Sequence, residues 1–423
     1  MKQKLFIFSL IIFMSTTILP QASQNPNNPF FKEWKTPFET PPFNEIKPEH
    51  FIPAIEEGIK LEKAEIDAII NYKEKPTFKN TIEALELSGE FLGRVNRIFG
   101  SLNGANTNDE LQKINRITTP MLSKHRDDIA LNEKLFAKIK SVYDERAKLK
   151  ITPEQKTVLE NYYKNYIRAG ANLSKEGKDK LRKINEESSM LGLKFGENSL
   201  KETNAIALVI EAKDDLEGLP QDVIIAAAEL AKAKGMDGKW AFSLQKPSFI
   251  PFLQYSEKRD LREKIFNAYI NRGNNNNEFD NKKIISRVAA LRVERAKLMG
   301  YKTFADFVLE RNMAKNPENV YKFLNDLWKP AIKRAKMEVA DMQKIIDKEN
   351  GNFKLEGWDW WFYAEKVKKE KYALDEAMLR PYFQMENVRG GAFAAASKLY
   401  GIKFVKRNDI QVYHPDVEVF EVQ

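Results

Sequence analysis

The stretch PAIEEGIKLEKAEIDAII, Pro53–Ile70, decides how the chain is read. Ile55, Ile59, Ile66, Ile69 and Ile70 recur at helical spacing, with Glu and Lys between them. One face of such a helix is apolar and the other charged, the pattern of a helix packed on a core. The period continues outward. After Pro76, Ile82, Leu85, Leu92 and Phe99 predict a second helix, paired antiparallel with the first. Thr152-Pro153-Glu154-Gln155 marks another start, because the Thr hydroxyl and the Gln side chain can each satisfy a free backbone N–H, and Pro suits the first helical position. Ile332, Ala335, Val339, Met342 and Ile346 predict a further helix that stops at Asn350-Gly351.

A few stretches break this period. Ala205–Ile210 and Trp240–Leu244 are short and rich in β-branched or aromatic residues, so they predict a small sheet. Gly218-Leu219-Pro220 closes the first and opens a helix running through Leu230, and Asn274–Asn277 reads as the loop of a helical hairpin. From Ile410 the residues Val412, Val417, Val419, Phe420 and Val422 predict a terminal strand. Its apolar edge, residues 410–422, is expected to drive self-association. Gln24–Pro42 is rich in Asn and Pro, and Phe30, Phe31, Trp34, Phe38 and Phe43 are expected to pack this segment onto the body. The fold class is mainly α with a minor β-sheet.

Composition narrows the function. At 423 residues, 43% hydrophobic and 11% aromatic, the chain is a packed globule rather than a disordered one. Its 69 basic residues exceed its 60 acidic ones for a formal charge of +9, but the basic clusters are mixed. Glu370 interrupts Lys366–Lys371, and Glu338 and Asp341 follow Lys333, Arg334 and Lys336, which is the pattern of a solvated helix face; no nucleic-acid partner is expected. The absence of cysteine excludes disulfides, thiol catalysis, thiolate metal ligands and a cysteine-linked lipid. Lys2 and Lys4, the apolar run Leu5–Met14 and the small residues Ala22 and Ser23 predict a secretory signal peptide over residues 1–23. The apolar run is interrupted by Ser15-Thr16-Thr17 and closed by Pro20, short of the roughly 20 residues a span needs, so the expected location is periplasmic or secreted, with no membrane attachment once the leader is removed; an uncleaved anchor is the alternative, because Pro20 or Gln21 stands where a cleavage site wants a small residue.

The aromatic block Gly357-Trp358-Asp359-Trp360-Trp361-Phe362-Tyr363-Ala364-Glu365 has its own physical reading. Five large aromatics at a helix start belong to a core, and Asp359 is a first-turn acid suited to the helix dipole. Together with Pro29-Phe30, Ile46–Phe51, Lys201-Glu202-Thr203-Asn204, Arg295–Tyr301, Pro381-Tyr382-Phe383, Asn387-Val388-Arg389 and Val412–Val417, the block resembles the bacterial peptidyl-dipeptidases of the thimet oligopeptidase family of zinc metallopeptidases. That resemblance implies an elongated, two-lobed helical body whose central channel admits short peptides and has the aromatic block in its wall. It also implies one zinc ion, held by two histidines and a later glutamate, and the release of C-terminal dipeptides.

The zinc motif His-Glu-x-x-His places two imidazoles one helical turn apart with a glutamate between them. This sequence has three histidines, His50, His125 and His414, and no two lie within one turn. Each reads as a surface or capping histidine. No Gly-x-Ser-x-Gly elbow, phosphate-binding glycine loop or dinucleotide fingerprint is present either. No catalytic or metal-binding residue is therefore assigned, and substrate-binding residues are unknown. The expectation is a truncated zinc metallopeptidase that binds no zinc and is inactive alone, built from a signal peptide (1–23), an N-terminal helical lobe with a small sheet (24–250) and the opening part of the catalytic region (251–423). The alternative is a non-catalytic helical protein that binds peptides or a partner chain.

Overall fold

The computed structural model describes residues 27–374, 376–379 and 381–423, so the signal peptide lies outside the described residues. The described residues divide into two compact units, one of residues 27–171 with 402–423 and the other within residues 172–401.

Unit 1 is built on α1 (Phe51–Asn71). A π-helical turn at Phe78–Glu83 leads into the single turn α2 (Ala84–Glu86), and α3 (Glu90–Ala105) then packs along α1 as the predicted pair. The second helix is thus not continuous. It breaks at Gly89, whose φ of +71° no helix accommodates. As a result its apolar residues serve two cores: Ile82 and Leu85 join Ile66, Leu135 and Leu159, whereas Leu92 and Phe99 join Phe51, Ile55 and Ile114. The remaining helices of this unit are α4 (Asp109–Ala130), α5 (Glu133–Asp144) and α6 (Pro153–Arg168). The capping box at Thr152 is formed, with the Gln155 N–H donating to Thr152 Oγ1 at 3.2 Å and the Thr152 N–H donating to Gln155 Oε1 at 3.0 Å.

The aromatic segment before α1 packs onto this body through Phe30, which is fully buried against Phe51. Asn28 fixes it by donating to the His50 carbonyl at 2.9 Å while accepting from the Phe30 N–H at 3.0 Å. Phe38 departs from expectation: it is 67% exposed and sits at positive φ.

Unit 2 begins with α7 (Lys175–Asn204), followed by β1 (Ile206–Ile210), α8 (Gln221–Ala233) and β2 (Trp240–Ser243). β1 and β2 pair antiparallel as predicted, and their inner residues Leu208, Ile210 and Phe242 share a core with Phe249, Phe252 and Leu253 of α9 (Lys246–Tyr255) and with Leu261 and Ile265 of α10 (Arg259–Ile270). Full burial of each such side chain contributes about 1.5–3 kcal/mol. The predicted Asn-rich loop joins α10 to α11 (Lys282–Leu298), which lies against α7. Glu202 holds that loop, accepting from the Gly273 N–H and from Asn275 and Asn277 at 3.0 and 2.8 Å. Burial alone would raise its carboxyl, but these donors hold it below the ordinary carboxylate value.

The chain continues through α12 (Phe304–Leu309), α13 (Pro317–Lys348), α14 (Trp360–Tyr372), α15 (Glu376–Leu379) and α16 (Met385–Tyr400). α13 starts well before the predicted stripe at Ile332, with the Asn316 side chain accepting from the Asn319 N–H. Only its far end is buried: Met342 and Ile346 are enclosed by Phe362 and Tyr363, while Tyr321, Phe323, Leu327 and Trp328 are exposed.

Residues 402–423 return to unit 1 as a hairpin of β3 (Phe404–Arg407) and β4 (Val419–Val422), with Phe404 opposite Val422. The terminal strand therefore begins at Val419 rather than Ile410, and it has a partner that the sequence reading did not supply. Residues 410–418 form bends that tie the hairpin to the N-terminal segment, with the Asn44 N–H donating to Gln411 Oε1 at 3.0 Å and the Phe43 and Tyr413 rings meeting edge to face.

Candidate functional site

The aromatic block opens with a 3-10 turn at Gly357–Asp359 that runs into α14. Asp359 is fully buried, and it does more than face a helix dipole. Arg259 forks onto it with Nε and Nη2, the shortest contact being 2.8 Å, and Arg262 Nη2 donates to Oδ1 at 2.9 Å. Arg262 also donates to the Ser256 carbonyl at 2.8 Å, which fixes the guanidinium at both ends. The two guanidinium groups lie 4.2 Å from the Phe353 ring and 4.1 Å from the Phe362 ring respectively. Ring faces carry partial negative charge, so they offset the excess positive charge of two arginines on one carboxylate.

This cluster clamps α10 to the start of α14. Beside it, Gln254 donates to Glu365 at 3.1 Å, and the Phe266 ring lies within 6.3 Å of both Trp358 and Trp361. Burial pushes the Tyr363 phenol up, so it stays neutral. The arrangement contains fixed charge pairs and packed rings, and its carboxylate is saturated with donors. It is a rigid platform rather than a nucleophile or a proton-transfer pair. The sequence reading singled out Asp359 but missed its partners, although Arg259 and Arg262 stand three apart on one helix face.

The three histidines lie in separate settings. His50 caps the entrance to α1, where its Nδ1 accepts from the Lys47 N–H at 3.1 Å. His414 occupies a bend and accepts from the Asp416 N–H at 3.2 Å. His125 overturns its reading as a surface or capping residue: it is 5% exposed on α4, and its Nε2 lies 2.7 Å from Glu62 Oε2 on α1. Among the described residues no three His, Asp or Glu side chains are grouped to hold a metal ion. Zinc-bound histidines also spend their second ring nitrogen on a partner, so it is the lack of such a group, and not these hydrogen bonds, that makes the described residues a poor fit to a tetrahedral zinc site.

Beside the helical fold and the Trp-Asp platform stands a match in sequence: residues 252–423 match peptidase family M3. Among individual relatives, it is 39% identical over 396 residues to the dipeptidyl carboxypeptidase of Escherichia coli (strain K12), a match covering 93% of this chain and 58% of that protein. It is 31% identical over 391 residues to oligopeptidase A of the same organism, covering 92% and 57%. Saccharolysin of Saccharomyces cerevisiae is 23% identical over 363 residues, covering 82% and 50%. The chain thus spans little more than half the length of the curated relatives it matches.

Proposed function

We propose that this chain serves a zinc-dependent peptidase that releases dipeptides from the C-termini of short peptides. The observation that carries this reading is the 39% identity to a dipeptidyl carboxypeptidase, sustained over 93% of the chain. On this reading residues 24–250 form the N-terminal lobe and residues 251–423 the opening part of the catalytic region, and the leader over residues 1–23 directs the chain to the periplasm or beyond. No helix among the described residues is long and apolar enough to cross a membrane.

These 423 residues alone hold no tightly bound zinc and cleave no peptide, because no pair of histidines has the spacing that one ion requires. After dialysis of the purified chain against zinc, metal analysis is expected to find far less than one ion per chain, and dipeptide release is expected to be undetectable. One zinc surviving dialysis, with activity abolished by His414→Ala, would overturn this.

The second reading, a non-catalytic protein that binds peptides or a partner chain, is favoured by the exposed aromatics Tyr321, Phe323 and Trp328 on α13. Self-association through residues 410–422 is proposed as well. β4 is paired with β3 in a two-stranded sheet, and a strand of another copy would extend that sheet through the apolar run of residues 410–422. Light scattering should show Val419→Lys shifting the chain toward monomer, and a wild-type chain that is already monomeric at high concentration would remove the idea.

A further inference from the structure

Within unit 2, α13 is an amphipathic helix covered at one end only. Leu324, Leu327, Ala331, Ala335, Val339 and Met342 follow one another three or four apart, so they form a single apolar stripe. At its far end the stripe is buried, with Met342 in one core with Phe362 and Tyr363. Toward the helix start it is bare. Every residue from Tyr321 to Ala331 is exposed, about 16 Å of helix, and Trp328 at its centre is 64% exposed.

A stripe that meets protein along half its length has the same chemistry along the other half, so the fitting cover there is also protein. α16 repeats the pattern: none of its residues is buried, and Val388, Leu399 and Tyr400 all stand exposed. Two uncovered helices in one unit fit a partner of domain size better than a short peptide. The polar side of α13 argues against a lipid surface. A helix lying on an anionic membrane carries a strongly basic polar face, whereas here Asp326 pairs with Lys322 at 2.7 Å and Glu338 with Arg334 at 2.8 Å. The relatives supply polypeptide of the required size, since the match to dipeptidyl carboxypeptidase takes in 93% of this chain but 58% of that protein.

We propose that the bare half of α13 is the docking surface for a polypeptide equivalent to the part of dipeptidyl carboxypeptidase that this chain does not span, a proposal that rests on the partner-chain reading of these aromatics and requires no peptidase activity.

The full chain, tagged and co-expressed with the part of the Escherichia coli dipeptidyl carboxypeptidase outside the match, tests it. Affinity capture followed by size exclusion with light scattering is expected to give a one-to-one complex. The double variant Leu327→Glu with Trp328→Glu should weaken binding about a hundredfold or more, because both side chains leave the centre of the interface. Its circular dichroism should match the wild type, since both residues are exposed in the chain alone. Lys329→Glu, on the opposite side of the helix, should bind as the wild type does. Absence of a complex with the wild-type chain overturns the proposal, as does equal binding by the double variant. Two other results also overturn it: wild-type chain that binds phosphatidylglycerol vesicles through Leu327 and Trp328, or chain that dimerises through them. Zinc content and dipeptide release of the complex are read separately, so a stable but inactive complex would refute the peptidase reading and leave the docking surface standing.

Discussion

Replacing Asp359 by Ala is expected to destabilise unit 2 by about 3–5 kcal/mol, the largest effect of any single substitution in its core. The removed carboxylate is the common acceptor for two arginines, of which Arg262 is only 1% exposed and has no route to water. What remains is an uncompensated buried charge rather than a mere lost contact. The double variant Asp359→Leu with Arg262→Met should recover most of the loss, because apolar residues of similar size avoid the desolvation that both ions suffer. Chemical denaturation followed by tryptophan fluorescence reports on this unit, since every tryptophan except Trp34 lies within it. A loss below about 1 kcal/mol would mean that water reaches Arg262 after all.

Gly218→Ala should cost about 3 kcal/mol or more, combining about 1–2 kcal/mol for a left-handed backbone with a steric clash. Gly218 has φ of +83°, and a Cβ there would sit 2.3 Å from the Tyr255 carbonyl oxygen. The neighbouring Glu217 carbonyl accepts from the Glu257 N–H at 3.0 Å, so the turn cannot retreat without breaking its tie to the link between α9 and α10. Gly235→Ala is the matched control. Its φ is +74°, but nothing lies within 4 Å of an added Cβ, so only the backbone cost should appear. Equal losses for the two variants would show that the Tyr255 contact relaxes freely.

Helices and their starts were legible because their signals are local. The isoleucines of α1 and the Thr152–Gln155 box act within a turn or two of themselves. What escaped depends on distant partners. β3 reads Phe-Val-Lys-Arg, too short and too polar to announce a strand until Val419–Val422 is laid against it. Asp359 finds its arginines about a hundred residues upstream, and no period encodes that meeting. His125 was misjudged for another reason. Its immediate neighbours Lys124, Arg126, Asp127 and Asp128 look solvated, yet Leu122 and Ile129 share its helical face and mark the side that turns inward.

Unit 1 is assembled from two segments of the chain, and this carries a consequence for biosynthesis. The Asn44 backbone meets Gln411 across 367 residues, so a ribosome must produce all of unit 2 before that contact can form. Unit 2 is uninterrupted in sequence and can fold as it emerges, whereas unit 1 waits with an open flank for β3 and β4. Closing so long a loop is entropically slow but only weakly dependent on its length. The nascent chain is therefore most vulnerable to proteases and mispairing in the interval before residues 402–423 emerge, and in the segment of unit 1 that precedes unit 2.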